Sequence, residues 1–391
     1  MTKYILLKGF TMRIMTGQVA RKENFWDRKR ELNDVWYKID SGNHVLLVAP
    51  RRVGKTSVMY NIFDNPKDDY IVLYIDTESA DKENEFWKKL FYRLMEEEFV
   101  NTLQNKAKNL FNKLKTIKID EATIKGIKFG DGSELDYAQA FKKIIKELDA
   151  DKKLIIMIDE FAQTIENIIK YESVENAKSL LKTHRELRQD SAVSEKVTFI
   201  YAGSIGLESV ASKIDSISTI NDLATVKILP LEFSDAKEFV TLLATSNNID
   251  IQEDEITYLL NKIEWKIPFY IQLIMDELRK LEGRIQAEQI DSSFESILDN
   301  RNHFEHWHSR LKSLADNEYQ FSKEVLNTIA ENTIITSNKI VNIAEKYKLD
   351  DAKEVIHSLV YDGYINNNDE TKEYRFNSPI LKMWWYKNVT N

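Results

Sequence analysis

The chain has 391 residues, more than a single hydrophobic core usually supports, so we expect two or three domains. It contains no cysteine, which excludes disulfide bonds, thiolate metal sites and a cysteine nucleophile. Its net charge of −8 argues against a protein that coats nucleic acid over its whole surface. No apolar run approaches the roughly 20 residues that span a bilayer, and the run at residues 4–7 is too short for a signal peptide. We therefore predict a cytoplasmic protein with no membrane partner.

Residues 1–16 carry no clear pattern and are treated as an N-terminal extension. Residues 17–32 lead into an amphipathic helix that ends near Gly42. Phe25, Trp26 and several charged residues in this stretch fit two interpretations. They form a lid on the adenine side of the nucleotide that the next segment predicts, or they are a helix start that packs on its own domain.

An apolar run at residues 45–48 breaks into a short turn and then an amphipathic segment, which predicts a phosphate-binding loop between a buried strand and a helix. The general pattern is Gly, four residues and then Gly-Lys-Ser/Thr, and this chain has Ala49 in the first position. Backbone N–H groups of such a turn, together with the helix N-terminus, bind anions. The predicted nucleotide-binding residues are Pro50, Arg51, Arg52, Val53, Gly54, Lys55, Thr56 and Ser57.

Individual residues of this loop have chemical roles that their types predict. Gly54 allows the backbone to approach the phosphates because it has no Cβ. Lys55 would reach the terminal phosphates, and the Thr56 hydroxyl would bind Mg²⁺.

A second buried strand at residues 70–76 ends on a carboxylate. Asp76 and Glu78 follow the carboxyl end of this strand, where α/β proteins build their sites, so they either face the nucleotide and its attacking water or cap a helix. Residues 82–111 read as helical, and the alternating pattern at residues 117–129 predicts a small hairpin.

A continuous apolar strand at residues 154–158 delivers two adjacent acids, Asp159 and Glu160. Asp159 would hold the Mg²⁺ shell, and Glu160 would polarise the water that attacks the γ-phosphate. A strand that ends in acids is a weak pattern alone, but together with the Gly54-Lys55-Thr56 turn it indicates a nucleotide-hydrolysing site.

Two further strands complete a predicted sheet. After a long helix at residues 165–188, the strand at residues 197–202 ends at Gly203 and Ser204. Ser204 either senses the γ-phosphate as a catalytic residue or is a plain turn serine. Residues 225–229, closed by Pro230, supply a fifth strand, so we predict an α/β fold with a five-stranded, mostly parallel sheet and helices on both faces.

Helices without strands follow, at residues 235–243, 253–263 and 268–281, and they predict a helical lid. Lys266 and Arg279 would either reach the nucleotide or lie solvated on helix surfaces. In the next segment His303, His306 and His308 accompany Glu305, a spacing that fits a metal site or a solvated linker helix.

The last segment has the pattern of a winged helix-turn-helix, with helices at residues 321–330, 337–347 and 352–361 and a two-stranded wing within residues 363–376. Residues 321–391 contain nine Lys/Arg and ten Asp/Glu, and the third helix with its lead-in is acidic. DNA binding through phosphates predicts the opposite bias, which puts a DNA role in question. Trp384 and Trp385 read as a packing anchor.

Taken together, these motifs resemble the archaeal/bacterial ATPase family of the AAA+ superfamily of P-loop (ASCE-type) NTPases, which is related to origin-recognition and STAND ATPases. The matching residues are the loop 50–57, Ile158-Asp159-Glu160-Phe161, Gly203-Ser204, Pro268-Phe269-Tyr270, Tyr374-Arg375-Phe376 and Ser378-Pro379. The resemblance implies an ATPase core at residues 17–232, a lid at 233–298, a linker helix at 299–319 and a winged-helix domain at 320–391.

The resemblance also implies an activity. We expect ATP and Mg²⁺ as ligands, ATP hydrolysis with Lys55, Glu160 and Ser204 as catalytic residues, and a nucleotide-dependent conformational switch. Relatives often complete the site with an arginine from a neighbouring subunit, so the resemblance is compatible with a homo-oligomer as well as with a monomer. Arg185 and Arg188 are candidates for that arginine, or they are structural in their own chain. The alternative function is a nucleotide-gated, regulatory or defence-type module that binds DNA or a protein and hydrolyses ATP slowly.

Overall fold

The structure is a computed structural model that describes residues 11–96, 136–147, 152–203, 206–300, 303–312, 314–368 and 370–390. These residues divide into two compact units. The sheet unit comprises the described residues of Arg28–Val48 and Val58–Lys227, and the helical unit comprises those of Met1–Asp27, Ala49–Ser57 and Ile228–Asn391. The domain boundaries predicted from the sequence stay predictions.

A parallel five-stranded sheet forms the centre of the sheet unit, as the sequence predicts. Its strands lie in the order β2-β3-β4-β1-β5, and every neighbouring pair is parallel. Strand β4 therefore lies between β1, which leads into the predicted phosphate loop, and β3, which carries the two acids. The strands are β1 (Val45–Val48), β2 (Tyr70–Asp76), β3 (Lys153–Asp159), β4 (Val197–Ala202) and β5 (Ala224–Lys227).

Both faces of this sheet are buried, because the strands carry apolar side chains in consecutive positions. Leu154 and Ile156 of β3 face one hydrophobic cluster, while Ile155 and Met157 point to the opposite face and are also fully buried. The fold prediction of an α/β sheet with helices on both sides is confirmed.

The helices of the sheet unit divide between these faces. Helices α3, α4, α5 and α6 contribute to the cluster on one face. On the other face, the ring of Trp36 in α1 lies 5.5 Å from that of Tyr70, and the ring of Tyr60 in α2 lies 4.5 Å from that of Tyr74. The helices are α1 (Lys29–Asp40), α2 (Lys55–Asp64), α3 (Glu83–Met95), α4 (Tyr137–Glu147), α5 (Phe161–Tyr171), α6 (Val174–Gln189), α7 (Ser191–Ser194) and α8 (Leu207–Lys213).

The predicted single helix at residues 165–188 is wrong in one respect, since the structure has two helices there. Helix α5 ends at Tyr171, and α6 begins after Ser173, whose hydroxyl accepts the backbone N–H of Asn176 at 3.0 Å. A serine in this position satisfies an N–H group at the start of a helix and so favours a new helix start. The predicted hairpin at residues 117–129 and the end of the predicted helix at 82–111 lie outside the described residues.

The first part of the helical unit consists of packed helices. One of them, α12, was not predicted from the sequence. Gln286 and Gln289 form a reciprocal capping box at its start, and Ile290, Phe294 and Ile297 form its buried face. The helices up to residue 312 are α9 (Phe233–Ser246), α10 (Glu253–Ile263), α11 (Pro268–Leu278), α12 (Ala287–Asp299) and α13 (Glu305–Lys312).

The C-terminal segment, residues 316–390, has the predicted order of three helices and a hairpin. A short strand, β6, was not predicted from the sequence and pairs with β8. The small sheet therefore has the order β6-β8-β7 and is antiparallel. Its elements are α14 (Asp316–Asn332), β6 (Ile335–Thr336), α15 (Ser337–Lys346), α16 (Ala352–Tyr361), β7 (Ile365–Asn368), β8 (Glu373–Phe376), α17 (Pro379–Trp385) and a π-helical turn (Tyr386–Thr390).

One hydrophobic cluster runs from α9 through the C-terminal segment. The ring of Phe304 stacks on Tyr270 of α11 at 6.2 Å and on Trp384 of α17 at 5.5 Å, so the predicted packing role of Trp384 is confirmed. Within the described ranges, none of the helices has both the length and the apolar character needed to cross a membrane.

Candidate functional site

The predicted phosphate loop connects β1 to α2, and two of its residues have positive φ angles. Gly54 has φ +102°, a conformation that side chains with a Cβ rarely adopt. Arg52 has φ +66°, which is uncommon for a residue other than glycine and costs on the order of 1 kcal/mol. Ala49 has no positive φ and is buried, so the missing first glycine of the pattern is compatible with the loop.

Two arginines of the loop differ in their surroundings, since Arg52 contacts an aromatic ring of the helical unit and Arg51 has a buried nitrogen. The guanidinium of Arg52 lies 4.7 Å from the ring centre of Phe269, at the start of α11. The Nε atom of Arg51 is buried and has no hydrogen-bond partner among the described residues. Such a donor is costly to bury unless a ligand or water satisfies it.

The remaining loop residues begin helix α2. Lys55 is the first residue of α2 and is only 8% exposed, and Thr56 and Ser57 follow it in the first turn. The hydroxyl of Ser57 accepts the backbone N–H of Ala20 at 3.1 Å. The stretch at residues 17–32 therefore contacts the loop directly.

Trp26 in the same stretch packs on helix α9. Its ring stacks on Phe239 at 5.9 Å, and its Nε1 donates to the Asp235 carbonyl at 3.3 Å. These contacts support the interpretation as a packed segment, while a lid over the adenine stays a prediction.

In the sheet unit, Asp159 ends β3 and is 2% exposed. The hydroxyl of Tyr74 donates to its Oδ2 at 3.1 Å, and the backbone N–H of Glu160 donates to its Oδ1 at 3.0 Å. Burial and the adjacent carboxylate raise the pKa of Tyr74, so its hydroxyl is protonated and donates. Sequence reasoning did not select Tyr74.

Glu160 lies at the turn between β3 and α5 with φ +55° and ψ +30°, a left-handed conformation that a residue with a Cβ adopts only when its surroundings hold it. The carbonyl of Glu160 accepts the Thr164 N–H at 3.0 Å, and the Asp159 carbonyl accepts both the N–H and the hydroxyl of Thr77. The Thr164 hydroxyl donates to the Thr77 carbonyl at 2.8 Å. These two buried threonines fix the backbone that carries both acids.

Asp76 and Glu78 lie on the exposed surface at the end of β2. Asp76 Oδ1 accepts the Glu78 N–H at 2.9 Å, a turn closure rather than a helix cap. Their predicted role toward the nucleotide stays a prediction. Ser204 lies outside the described residues, so its role as a sensor also stays a prediction.

Arg188 is used within its own chain. It is 4% exposed and donates to both carboxylate oxygens of Asp222, at 2.7 and 2.8 Å, and to the Thr219 carbonyl at 2.5 Å. Arg185 donates to the Ser218 carbonyl. The structure therefore favours the in-chain structural interpretation for Arg188.

The other candidates in the helical unit make surface contacts. Lys266 donates to the Glu264 carbonyl at 2.8 Å, and Arg279 pairs with Asp276 at 2.7 Å. His308 lies 3.3 Å from the Tyr319 hydroxyl. Among the residues that the structure describes, no group of three or more His, Asp or Glu side chains is placed to hold a metal ion, so the histidine segment gains no support as a metal site.

The residues of the two predicted motifs fit a nucleotide and Mg²⁺. The loop offers an unpartnered buried donor, Arg51 Nε, and a left-handed Gly54 whose absent Cβ has no neighbour within 4 Å. The Asp159 carboxylate and the Thr56 hydroxyl each offer oxygen atoms, the ligand type that Mg²⁺ prefers.

Comparisons with known proteins agree with this chemistry. A family model described as an ATPase domain predominantly from Archaea matches residues 25–264. A solved Walker-type ATPase from Pyrococcus abyssi is similar with a TM-score of 0.63 at 17% identity, over 95% of this chain and 99% of that one. The Aeropyrum pernix ORC2 protein, solved as ADPNP–ADP complexes, is similar with a TM-score of 0.53 at 13% identity, over 94% and 95% of the two chains. A search of curated proteins found no match.

At these identities the solved structures show that this chain shares their fold. The family model covers more than half of the 391 residues, from the helix before β1 to the end of α10. The chain therefore belongs to the family of ATPase domains found predominantly in Archaea.

Proposed function

We propose that the protein binds ATP, hydrolyses it in the presence of Mg²⁺ and acts as a nucleotide-dependent conformational switch. The observation that carries this proposal is the burial of Asp159 at the carboxyl end of a parallel strand. An aspartate is rarely this buried unless it is paired or coordinates a metal, and the ends of parallel strands are where α/β proteins bind ligands.

Each predicted residue has a role in this proposal. Residues 50–57 would hold the phosphates, with Lys55 as the charged contact, and Thr56 and Asp159 would hold Mg²⁺. When bound, Mg²⁺ neutralises negative charge on the phosphate oxygens. Glu160 would accept a hydrogen bond from the attacking water, and Ser204 would contact the γ-phosphate.

The substitution Glu160→Gln tests the catalytic step. We expect ATP turnover to fall by about 10²-fold or more while ATP affinity is retained, because the amide keeps the shape of the side chain but is not a base. Glu186→Gln on the exposed face of α6 is the matched control and should leave turnover unchanged. Near-normal hydrolysis by Glu160→Gln would remove the role given to Glu160, and a wild-type chain without ATP binding would refute the whole proposal.

A second candidate function is a nucleotide-gated module whose C-terminal segment binds a protein. The observation that favours it is a cavity of about 1080 Å³ between α15, α16 and the hairpin. Ile340, Leu349 and Ile356 line it, and Val341 at its edge is 54% exposed. Such an apolar surface suits a protein partner better than the phosphates of DNA, and Asp350 and Asp351 lie exposed before α16.

Retention of the full chain on immobilised duplex DNA distinguishes the two partner classes. The full chain is used because the C-terminal segment shares its hydrophobic core with helices α9 to α13. We expect no retention even at low salt, since phosphate contacts require a basic face. Retention that weakens steeply as salt is raised would instead support a DNA partner.

A further inference from the structure

The Asp159 carboxylate has a side-chain contact that no motif predicts, the phenol of Tyr74. Its hydroxyl donates to Oδ2 at 3.1 Å, while the Glu160 N–H holds Oδ1. Each oxygen of the proposed metal ligand therefore accepts a hydrogen bond within the sheet unit.

The sheet register places Tyr74 where it reaches this carboxylate. Asp76 of β2 is the register partner of Asp159, and Tyr74 lies two residues before Asp76, so all three side chains belong to one face. The length of the phenol side chain brings its hydroxyl to 3.1 Å from the carboxylate.

Neighbouring residues hold the tyrosine in place. Its ring lies 4.5 Å from that of Tyr60 in α2, and its carbonyl accepts Arg93 Nε at 3.1 Å. Aromatic contacts at this distance fix a ring orientation and so fix the direction of the hydroxyl.

We propose that Tyr74 is a positioning residue of the Mg²⁺ site, whose hydroxyl holds the Asp159 carboxylate in the orientation that coordinates the metal. This inference rests on the proposed function, because it assigns a metal to Asp159.

The chemistry of a phenol suits this task. It donates a hydrogen bond without bringing a positive charge, so the carboxylate keeps the charge that attracts a cation. An ionised carboxylate offers about four lone-pair sites, so two hydrogen bonds are compatible with metal coordination. Groups that orient a metal ligand in this way contribute about 10-fold or more to metal affinity.

Calorimetric ADP binding, with Mg²⁺ and with EDTA, tests this role without relying on turnover. In Tyr74→Phe the ring that packs on Tyr60 is kept and only the hydroxyl is lost. We expect the gain in ADP affinity that Mg²⁺ provides to shrink by about 10-fold, with affinity in EDTA unchanged. Tyr70→Phe is the matched control, since Tyr70 lies on the same face of β2 and donates to Asp40 instead, at 2.9 Å.

A double variant distinguishes a Tyr74 hydroxyl that acts by positioning Asp159 from one that affects Mg²⁺ binding only because it is buried near the site. In an Asp159→Asn background, Tyr74→Phe should cause no further loss of the Mg²⁺-dependent gain, because Tyr74 acts through Asp159. A gain in Tyr74→Phe equal to that of the wild type would overturn the inference while leaving the proposed function intact. A wild-type chain that binds ADP with no gain from Mg²⁺ would overturn the metal role of Asp159 itself, and the inference with it.

Discussion

Arg188, a sequence-based candidate for an arginine that completes a neighbouring subunit's site, instead forms a buried ion pair within its own chain. Its guanidinium makes a two-pronged ion pair with Asp222, and Nη1 lies 3.2 Å from the Tyr201 hydroxyl. Although burial opposes ionisation of Asp222, the hydrogen bonds and charge of Arg188 hold its pKa below the usual value. The pair is buried on the arginine side, with side-chain exposures of 2% and 22%.

Removing one partner of this pair should be strongly destabilising. We expect Asp222→Ala to lower the free energy of unfolding by about 3 kcal/mol, because it leaves the buried Arg188 charge uncompensated. Urea denaturation of purified protein measures the change. The control is Lys67→Ala, which breaks the exposed pair with Asp40 and should cost about 1 kcal/mol or less. Equal losses in the two variants would contradict the structural role of Arg188.

The turn between α16 and β7 touches the predicted phosphate loop within the helical unit. Gly363 in this turn has φ +86°, and a Cβ there would lie 2.9 Å from Trp265 Cη2 and 3.2 Å from Pro50 Cβ. Pro50 is the first residue of the loop 50–57, and Trp265 precedes α11. The C-terminal segment and the predicted phosphate loop therefore pack against each other at Gly363.

Gly363→Ala tests whether this contact matters for nucleotide binding. We expect a loss of about 1–3 kcal/mol in stability from overpacking, and weaker ATP binding because Pro50 must shift. Thermal unfolding and ATP titration measure the two effects.

The matched control is Gly283→Ala. Gly283 has a similar φ of +81°, but a Cβ there has no neighbour within 4 Å. This variant should show only the strain of a left-handed alanine, on the order of 1 kcal/mol, with unchanged ATP affinity. If both variants bound ATP like the wild type, packing at Gly363 would have no influence on the loop.

Elements with strong local patterns were predictable, and those set by short signals were not. Consecutive apolar residues fixed the central strands, because a strand covered on both faces needs no polar positions. The break at Ser173 was hidden because the apolar spacing continues across it, although a serine before an acidic first turn is a start signal. Strand β6 has only two residues and forms through its partner β8, which no local pattern reveals.

The candidate site was predictable where the chemistry is local in sequence. The turn at Gly54-Lys55-Thr56 and the pair Asp159-Glu160 are each contiguous, so their residue types are readable directly. The contact between Tyr74 and Asp159 joins two residues that are 85 positions apart in the chain. It depends on the register between strands β2 and β3, and the sequence alone does not supply that register. A partial signal existed, since Tyr74 lies two positions before the acid that ends the strand and therefore on the same face as it.

Two buried histidines make the free energy of unfolding of this protein depend on pH. His184 is fully buried among aromatic rings, with Trp87 stacked on it at 5.1 Å, and its Nδ1 lies 2.9 Å from the Tyr201 hydroxyl. Burial, aided by the charges of Arg188 and Lys142, lowers the pKa of His184 well below its usual value. His44 is 7% exposed, and burial also lowers its pKa.

The direction of the pH effect follows from proton uptake. A histidine in the unfolded chain takes up a proton below about pH 6.5, whereas the buried histidine of the folded protein stays neutral. The unfolded state therefore binds more protons, and a falling pH favours unfolding. The stabilisation is therefore complete above pH 6.5 and is lost progressively below it.

We expect His184 alone to account for a loss of about 1.4 kcal/mol in the free energy of unfolding between pH 7.5 and 5.5. Urea midpoints at the two pH values measure it in the wild type and in His184→Gln, where the difference between the two values should shrink by that amount because glutamine does not titrate. The control is His357→Gln, which removes an exposed histidine of α16 and should keep the wild-type pH difference. A His184→Gln variant with the full wild-type difference would show that His184 takes up its proton equally well in the folded state, against the burial that the structure places around it.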